Sequence, residues 1–279
     1  MKRMVRAIVT LGVFSSALAT TKAPDAGRGP KPTPGTETHV LIVSGINKEL
    51  QESQAKDRAV MKLRKFFLND AQVDPARLTV LVDENSSARK DAKVSTAENL
   101  KRSLEALAAS VEPGDRLIFY YAGQANIVAG KLRLNLPGKD VTHDQLAGWI
   151  NRIKISSMLV VLDCPGAGLS AKALTGPERI VICGAKGDQP YSTRFSEYFL
   201  PALGDNASDT DADGKVSVLE AFTVASKKLD ALYLNQNLFK TETPVLEDNG
   251  DGICDPRPGR YKHDKNDGPA ASRFFLSVE

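Results

Sequence analysis

The sequence predicts an α/β protein whose mostly parallel sheet is flanked by helices on both faces. Apolar segments of strand length alternate along the chain with segments in which apolar residues recur at helical spacing. The strand segments, such as HVLIVSG at 39–45, are unbroken apolar runs, which is typical of parallel strands buried on both sides. The length of 279 residues suits one sizeable domain with an appendage.

Five apolar runs are predicted to form the strands of this sheet. They cover residues 39–45, 77–84, 115–123, 157–164 and 179–186. A further segment, 131–140, has the pattern of a hairpin arm. Because parallel sheets place their sites at the carboxyl ends of the strands, the loops after Tyr121 and Leu162 are the places to look for functional residues.

The intervening segments are predicted to be helices. Residues 56–71 carry apolar side chains at intervals of three and four, as one buried helix face requires. The predicted helical segments 96–111 and 141–153 each contain a threonine at their start, Thr96 and Thr142, that can accept a hydrogen bond as an N-cap.

The N-terminus has the pattern of an export signal. A basic stretch, MKRMVR, is followed by AIVTLGVFSSALA, which is apolar but short for a membrane span. We expect residues 1–19 to be a signal peptide, cleaved after Ala19 or alternatively after Ala23, although a buried N-terminal helix would give a similar pattern. The composition of segment 24–36, which is rich in proline and glycine, predicts a flexible tether. The protein is therefore expected to be periplasmic or secreted, with no membrane contact once the signal is removed.

The charge argues against a nucleic-acid-binding protein, and the cysteine content argues against a fold held together by a disulfide framework. The formal net charge is +3, and three of the positive charges lie in the first six residues, so no basic surface for nucleic acid is indicated. Export permits disulfides, but the three cysteines allow one pair with one left over, or none. The sequence does not indicate an oligomeric state.

Two strand ends carry motifs that resemble a known family. The strand RLIFYYAG is followed by Gln124, and the strand of LVVLDCPGAG (159–168) ends in an Asp-Cys-Pro turn. Over residues 38–203 this order of elements resembles the caspase-like and legumain-like cysteine peptidases, in particular their bacterial secreted members. The resemblance implies the α/β fold for 37–203 and a His/Cys dyad at the two strand ends.

The dyad positions are degenerate in this chain. Gln124 stands where the family has histidine, and glutamine cannot take up a proton. When Asp163 and Gly168 are aligned with the family's Asp-x-Cys-x-x-Gly, Pro165 rather than Cys164 occupies the nucleophile position. Proline also lacks the N–H that, in the family, helps to hold the oxyanion. The resemblance thus implies an inactive pseudopeptidase whose former cleft binds a peptide or protein.

Two other functions remain open at this stage. The first is an atypical cysteine peptidase with a shifted dyad, in which Cys164 attacks and His143 is the base, or another hydrolase that uses Ser170 or Thr193. The second is an interaction module in which the fold is only a scaffold and the cleft is unused.

The strongest local motif lies further along the chain, in DTDADGKVSVLE (209–220). Its spacing matches the twelve-residue EF-hand loop, with a glycine at position 6 for the sharp turn. Only oxygen ligands are offered, which favours a hard cation such as Ca²⁺. The expected ligands are Asp209, Asp211, Asp213, the carbonyl of Lys215, Ser217 and Glu220. Together with the helix that follows, this loop makes 204–279 a predicted calcium-binding extension packed on the α/β domain.

A second acidic loop, LEDNGDGICD (246–255), matches the same template in part. Its candidate ligands are Glu247, Asn249, Asp251 and Asp255, at positions 1, 3, 5 and 9. Position 12 is Pro258, so the loop lacks a bidentate closing residue. It is predicted to be a weaker cation site, and an ordinary Asn-Gly turn is the alternative.

Overall fold

The computed structural model describes residues 37–46, 50–259 and 266–276, all within one compact unit. The predicted signal peptide and tether, at 1–36, lie outside the described residues. Within the described residues, no helix combines the length and apolar character that a membrane crossing requires. All three cysteines are described, and none of them forms a disulfide.

Seven strands form the central sheet in the order β10-β9-β8-β4-β1-β2-β3, and β5, β6 and β7 form a small antiparallel sheet beside it. Neighbours in the large sheet run parallel, except that β10 is antiparallel to β9. The predicted fold class is therefore confirmed. The strands are β1 (Thr38–Ser44), β2 (Leu78–Val82), β3 (Lys93–Val94), β4 (Arg116–Ala122), β5 (Ala125–Val128), β6 (Lys131–Leu134), β7 (Val141–Thr142), β8 (Ser157–Asp163), β9 (Arg179–Cys183) and β10 (Val245–Glu247).

Helices cover both faces of the large sheet. The helices are α1 (Leu50–Lys65), α2 (Ala97–Ser110), α3 (His143–Ile150), α4 (Ala171–Leu174), α5 (Phe195–Leu203) and α6 (Val218–Asn235). Because successive strand residues point to opposite faces, Tyr120 and Val161 pack with α1, α5 and α6. Tyr121 and Leu162 pack with α2, α3 and α4 on the other face.

Local sequence signals set the helix starts. The Thr96 side chain accepts a hydrogen bond from the Asn99 N–H at 3.2 Å, and Thr142 does the same with the Gln145 N–H at 3.2 Å. The Gln145 side-chain oxygen in turn accepts from the Thr142 N–H at 3.0 Å, which completes a capping box. Both predicted N-caps are confirmed.

The C-terminal segment contributes to the sheet. β10 lies in the segment predicted to be an extension, and it pairs with β9 so that Val245 faces Cys183 across the ladder. Leu246 is also paired on its other side with Asp255. The segment after 204 is thus built into the edge of the α/β core.

Candidate functional sites

The carboxyl ends of β1, β4 and β8 meet at the place where the sequence predicts a site. The Gly123 N–H donates to the Asp163 carbonyl at 3.2 Å, and the Gly45 N–H donates to the Ala122 carbonyl at 3.1 Å. A Cβ atom on Gly123 would lie 2.7 Å from the Gly45 Cα. The close approach of the loops after β1 and β4 therefore requires a glycine at position 123.

Gln124, at the position where the sequence resemblance implies a base, makes a structural contact. Its side chain is partly buried, and its Nε2 donates to Ser192 Oγ at 2.7 Å. An amide in this position links the loop after β4 to the loop before α5. It cannot accept a proton from a thiol.

Cys164 is a core residue. It is fully buried in the apolar cluster that faces α2, α3 and α4. Burial raises the pKa of the Cys164 thiol far above its usual value, and the negative charge of Asp163 adds to the effect. Because only the thiolate is a strong nucleophile, this cysteine is held in its unreactive form. Pro165 is buried as well.

The other candidate residues for catalysis make local contacts. The ring of His143 lies against β6, where its Nδ1 accepts from the Leu132 N–H at 3.1 Å, and its Nε2 lies 3.4 Å from Asp144 Oδ1. Ser170 is fully buried and donates to the Ala167 carbonyl at 2.6 Å.

The residue next to Cys164 lies in a polar environment that the sequence did not reveal. Asp163 is fully buried on the α1–α5 side of the sheet, and Lys56 Nζ from α1 lies 3.2 Å from its Oδ2. The same Oδ2 accepts from the Ser196 N–H, at the start of α5, at 3.1 Å. Burial alone would raise the pKa of Asp163, but the Lys56 charge and the Ser196 hydrogen bonds hold that pKa below its usual value.

A cavity of about 380 Å³ opens between α1 and α5 above this pair. Lys56, Asp163 and Thr193 contribute to its lining, and Thr193 is itself buried. Charged side chains also line it, namely Arg58, Lys62, Arg194 and Glu197. Because Glu197 is paired with Arg194 at 2.7 Å, the remaining charge on this lining is positive.

The predicted cation loop brings three carboxylates together. Asp209, Asp211 and Asp213 each offer an oxygen, and these oxygens lie within 4.8 Å of one another. The chain turns at Gly214 with a φ of +91°, a conformation that glycine adopts without strain. The structure therefore contains an aspartate triad that could hold a metal ion.

The triad residues are oriented by the loop backbone. Asp209 Oδ2 accepts from the Gly214 N–H at 2.9 Å, Asp211 Oδ1 from the Asp213 N–H at 3.2 Å, and Asp213 Oδ1 from the Lys215 N–H at 2.9 Å. Asp209 Oδ1 is buried and has no hydrogen-bond partner in the described part of the chain. An orphaned carboxylate oxygen is costly to bury, and a bound cation would satisfy it.

Mutual repulsion is evident at Asp211. A hydrogen bond from Asp213 favours the charged form, but desolvation and the charges of Asp213, Glu220 and Asp209 outweigh it and raise the Asp211 pKa. A divalent cation would relieve this repulsion.

Glu220 lies beside the triad rather than within it. Its Oε1 accepts from the Thr210 N–H at 2.6 Å and the Asp211 N–H at 3.2 Å, and its Oε2 accepts from the Ser217 N–H at 2.9 Å. Ser217 and Glu220 form the capping box that starts α6. Glu220 therefore anchors the loop to the helix and is not among the three carboxylates that converge.

The second acidic loop is ordered by similar bonds. Asn249 Oδ1 accepts from the Asp251 N–H at 2.9 Å, and Asp251 Oδ1 accepts from the Ile253 N–H at 2.7 Å. Glu247 is fully buried at the end of β10. Asp255 Oδ1, at the end of the loop, accepts from the Arg257 N–H at 2.7 Å and so stabilises the turn that follows it.

Comparison of the chain with protein-family models gave no match, and a search of curated proteins gave none either.

Proposed function

We propose that the chain is an exported calcium-binding protein with a caspase- or legumain-like fold that does not cleave substrates. In this proposal, the cleft at the carboxyl ends of β4 and β8 binds a peptide or protein segment. The observation that carries the proposal is the triad of Asp209, Asp211 and Asp213, with a buried Asp209 oxygen that has no hydrogen-bond partner among the described residues.

The chemistry of the triad favours Ca²⁺ over transition metals. All available ligands are oxygens, with no histidine or cysteine among them, and hard cations prefer such ligands. The three aspartates occupy positions 1, 3 and 5 of the EF-hand template, and Lys215 and Glu220 supply a carbonyl and a carboxylate at positions 7 and 12. Extracellular calcium modules bind with Kd values of about 10⁻⁴–10⁻³ M, which suits an exported protein.

The surroundings of the strand ends support a binding role without catalysis. A cysteine peptidase needs a thiolate and a base within hydrogen-bond reach of each other. Here Gln124 cannot titrate, and Cys164 is fully buried with a raised pKa. The order of strands and helices around this point is compatible with the caspase-like arrangement that the motifs resemble.

The cavity between α1 and α5 suggests what the cleft binds. It lies at the carboxyl end of β8 and is lined by the cations Arg58 and Lys62 in addition to the Arg194–Glu197 pair. We infer that the bound segment carries acidic side chains, because opposite charges across an interface favour association.

Thermal unfolding tests the proposed calcium site. We expect Ca²⁺ at 100-fold above its Kd to stabilise the chain by about 2.7 kcal/mol, or roughly 5–10 °C in Tm for a protein of this size. Asp209→Ala combined with Glu220→Ala should remove most of the rise, measured for each variant as the difference between Ca²⁺ and EDTA. Asp188→Ala, at an exposed acidic residue outside the loop, should keep it. Melting curves that do not respond to EDTA would contradict the proposal.

A further inference from the structure

We propose that a cavity at the amino ends of β8 and β9 binds a small phosphate monoester, with Arg179 as its main ligand. The cavity has a volume of about 620 Å³ and is lined mainly by the loop that joins α3 to β8 and the loop that joins α4 to β9. The cleft of the proposed function lies at the opposite, carboxyl ends of the strands. This site therefore does not depend on the proposed function being correct.

The guanidinium of Arg179 is held in place by only one of its nitrogens. Arg179 is 9% exposed. Its Nη1 donates to Asn151 Oδ1 at 2.7 Å and to the Leu174 carbonyl at 2.5 Å, and these are the side-chain hydrogen bonds that it makes within the described residues. Its Nε is buried and has no partner in that part of the chain. The edge formed by Nε and Nη2, which can hold two oxygens of an oxyanion side by side, is thus available for binding.

The guanidinium borders the cavity at Gly176. Both residues contribute to the lining. A Cβ atom on Gly176 would lie 3.5 Å from Arg179 Cζ and 3.7 Å from its Nη2, which are ordinary contact distances. A side chain at position 176 would therefore occupy the space next to the guanidinium without displacing it.

The positive charge of Arg179 is only partly compensated. Burial lowers the pKa of Arg179, although the charge of the buried Glu247, on the neighbouring strand β10, opposes this effect. No ion pair joins the two side chains, and Glu247 Oε2 has no hydrogen-bond partner within the described residues. Lys154 adds a second positive charge to the lining, in which the described residues include no aspartate or glutamate. The cavity therefore favours an anion.

A hydroxyl group and apolar side chains complete the lining. Thr175 Oγ1 is buried without a hydrogen-bond partner among the described residues, so it can donate to an anion. A phosphate offers three acceptor oxygens and up to two negative charges, which matches two cations and a hydroxyl better than the single charge of a carboxylate does. The cavity is also lined by Pro113, Ile155 and Pro177, against which an organic group attached to the phosphate can pack.

Calorimetric titration of the full chain with phenyl phosphate, in EDTA so that cation binding does not contribute, tests the ligand class. Benzoate has the same ring but a singly charged, planar anion, and inorganic phosphate lacks the ring. We expect phenyl phosphate to bind more tightly than either, by at least about fivefold over benzoate, because a charge-assisted hydrogen bond is lost with the smaller anion. Benzoate that binds as tightly as phenyl phosphate would overturn the assignment to a phosphate.

Three substitutions locate the site. Arg179→Lys keeps the charge but not the paired donors, and should weaken binding of phenyl phosphate at least about tenfold. Gly176→Leu keeps both cations but fills the space beside the guanidinium, and should abolish binding, which attraction to surface charge alone would not explain. Lys227→Gln, at an exposed residue of α6 on the other face of the sheet, should leave the affinity unchanged.

Two results would refute the site. One is the absence of binding to the full chain at phenyl phosphate concentrations up to about 10 mM. The other is a folded Gly176→Leu variant that binds phenyl phosphate as tightly as the unchanged chain. Should Arg179→Lys not fold, Lys154→Gln, at an exposed position, takes its place, with an expected loss of about threefold, as for one exposed ion pair.

Discussion

Two consecutive side chains at the end of β8 lie in opposite environments. Asp163 points toward α1 and α5, where it meets Lys56 and the start of α5, while Cys164 points into the apolar layer on the other face. Because side chains alternate across a strand, a one-residue offset decides which of the two occupies the polar side. The polar side holds a carboxylate, and the thiol is excluded from it.

The Asp163–Lys56 pair gives a stability prediction at this scale. Removing one partner of a buried ion pair typically costs about 3–5 kcal/mol, because the other charge is left without compensation. We expect Lys56→Met to lower the free energy of unfolding by about this amount in urea titrations, and Lys56→Met with Asp163→Asn to restore part of it. The exposed Lys62→Met should change it by less than about 0.5 kcal/mol. A loss below about 1 kcal/mol for Lys56→Met would contradict the importance of the pair.

Individual site residues differ in how far the sequence predicts them. Asp209, Asp211 and Asp213 are close in sequence, so their spacing alone predicts that their carboxylates converge. Lys56 lies 107 residues from Asp163, and no local pattern indicates that the two meet. Such pairs depend on how α1 packs against the sheet.

At the scale of elements, one capping box serves two purposes. Ser217 and Glu220 start α6, and Glu220 also accepts hydrogen bonds from the N–H groups of Thr210 and Asp211. The start of the helix and the cation loop are thus fixed by the same carboxylate. This explains why the loop is well formed although α5 does not run directly into it.

Glu242 joins α5 to α6 and makes stability depend on pH. Its Oε2 accepts from the Arg194 N–H at 2.7 Å, and its Oε1 accepts from Tyr233 Oη at 3.0 Å. Burial raises the pKa of Glu242 to about 7, and the charge of Asp163 adds to this effect. The folded chain therefore retains a proton that the unfolded chain releases between about pH 4.5 and 7.

Stability should consequently fall as the pH rises through this window. We expect the unchanged chain in EDTA to lose up to about 3 kcal/mol from this group between pH 5 and 8. Glu242→Gln should remove that loss, whereas Glu197→Gln, at an exposed residue, should not. Urea titrations at the two pH values provide the measurement. An equal loss in Glu242→Gln would show that this carboxyl does not cause the dependence.

Element prediction succeeded where an element is long enough to carry a pattern. The five predicted strands are present because each contains at least five consecutive mostly apolar residues. β3 and β10 have two and three residues, too few to show a period. α1 begins at Leu50 rather than at 56, because its first turns are polar and show no apolar spacing.

At the scale of the whole molecule, the C-terminal segment connects the two acidic loops. The Val218 N–H, at the start of α6, donates to the Phe274 carbonyl at 2.9 Å. The Arg116 guanidinium donates to the Phe275 carbonyl at 2.6 Å. Residues 268 and 271 of the same segment bind Asp248 beside the second loop. A cation in the Asp209–Glu220 loop would help to fasten this segment to the α/β core.

The central claim is that this chain binds calcium without acting as a cysteine peptidase. The most direct test treats the native chain, without residues 1–19, with an activity-based cysteine probe in saturating Ca²⁺ and in EDTA, and locates any label by mass spectrometry. We expect Cys164 to stay unlabelled in both conditions and to react only after unfolding in urea. Labelling of native Cys164 in Ca²⁺ that is lost in Cys164→Ser would contradict the account.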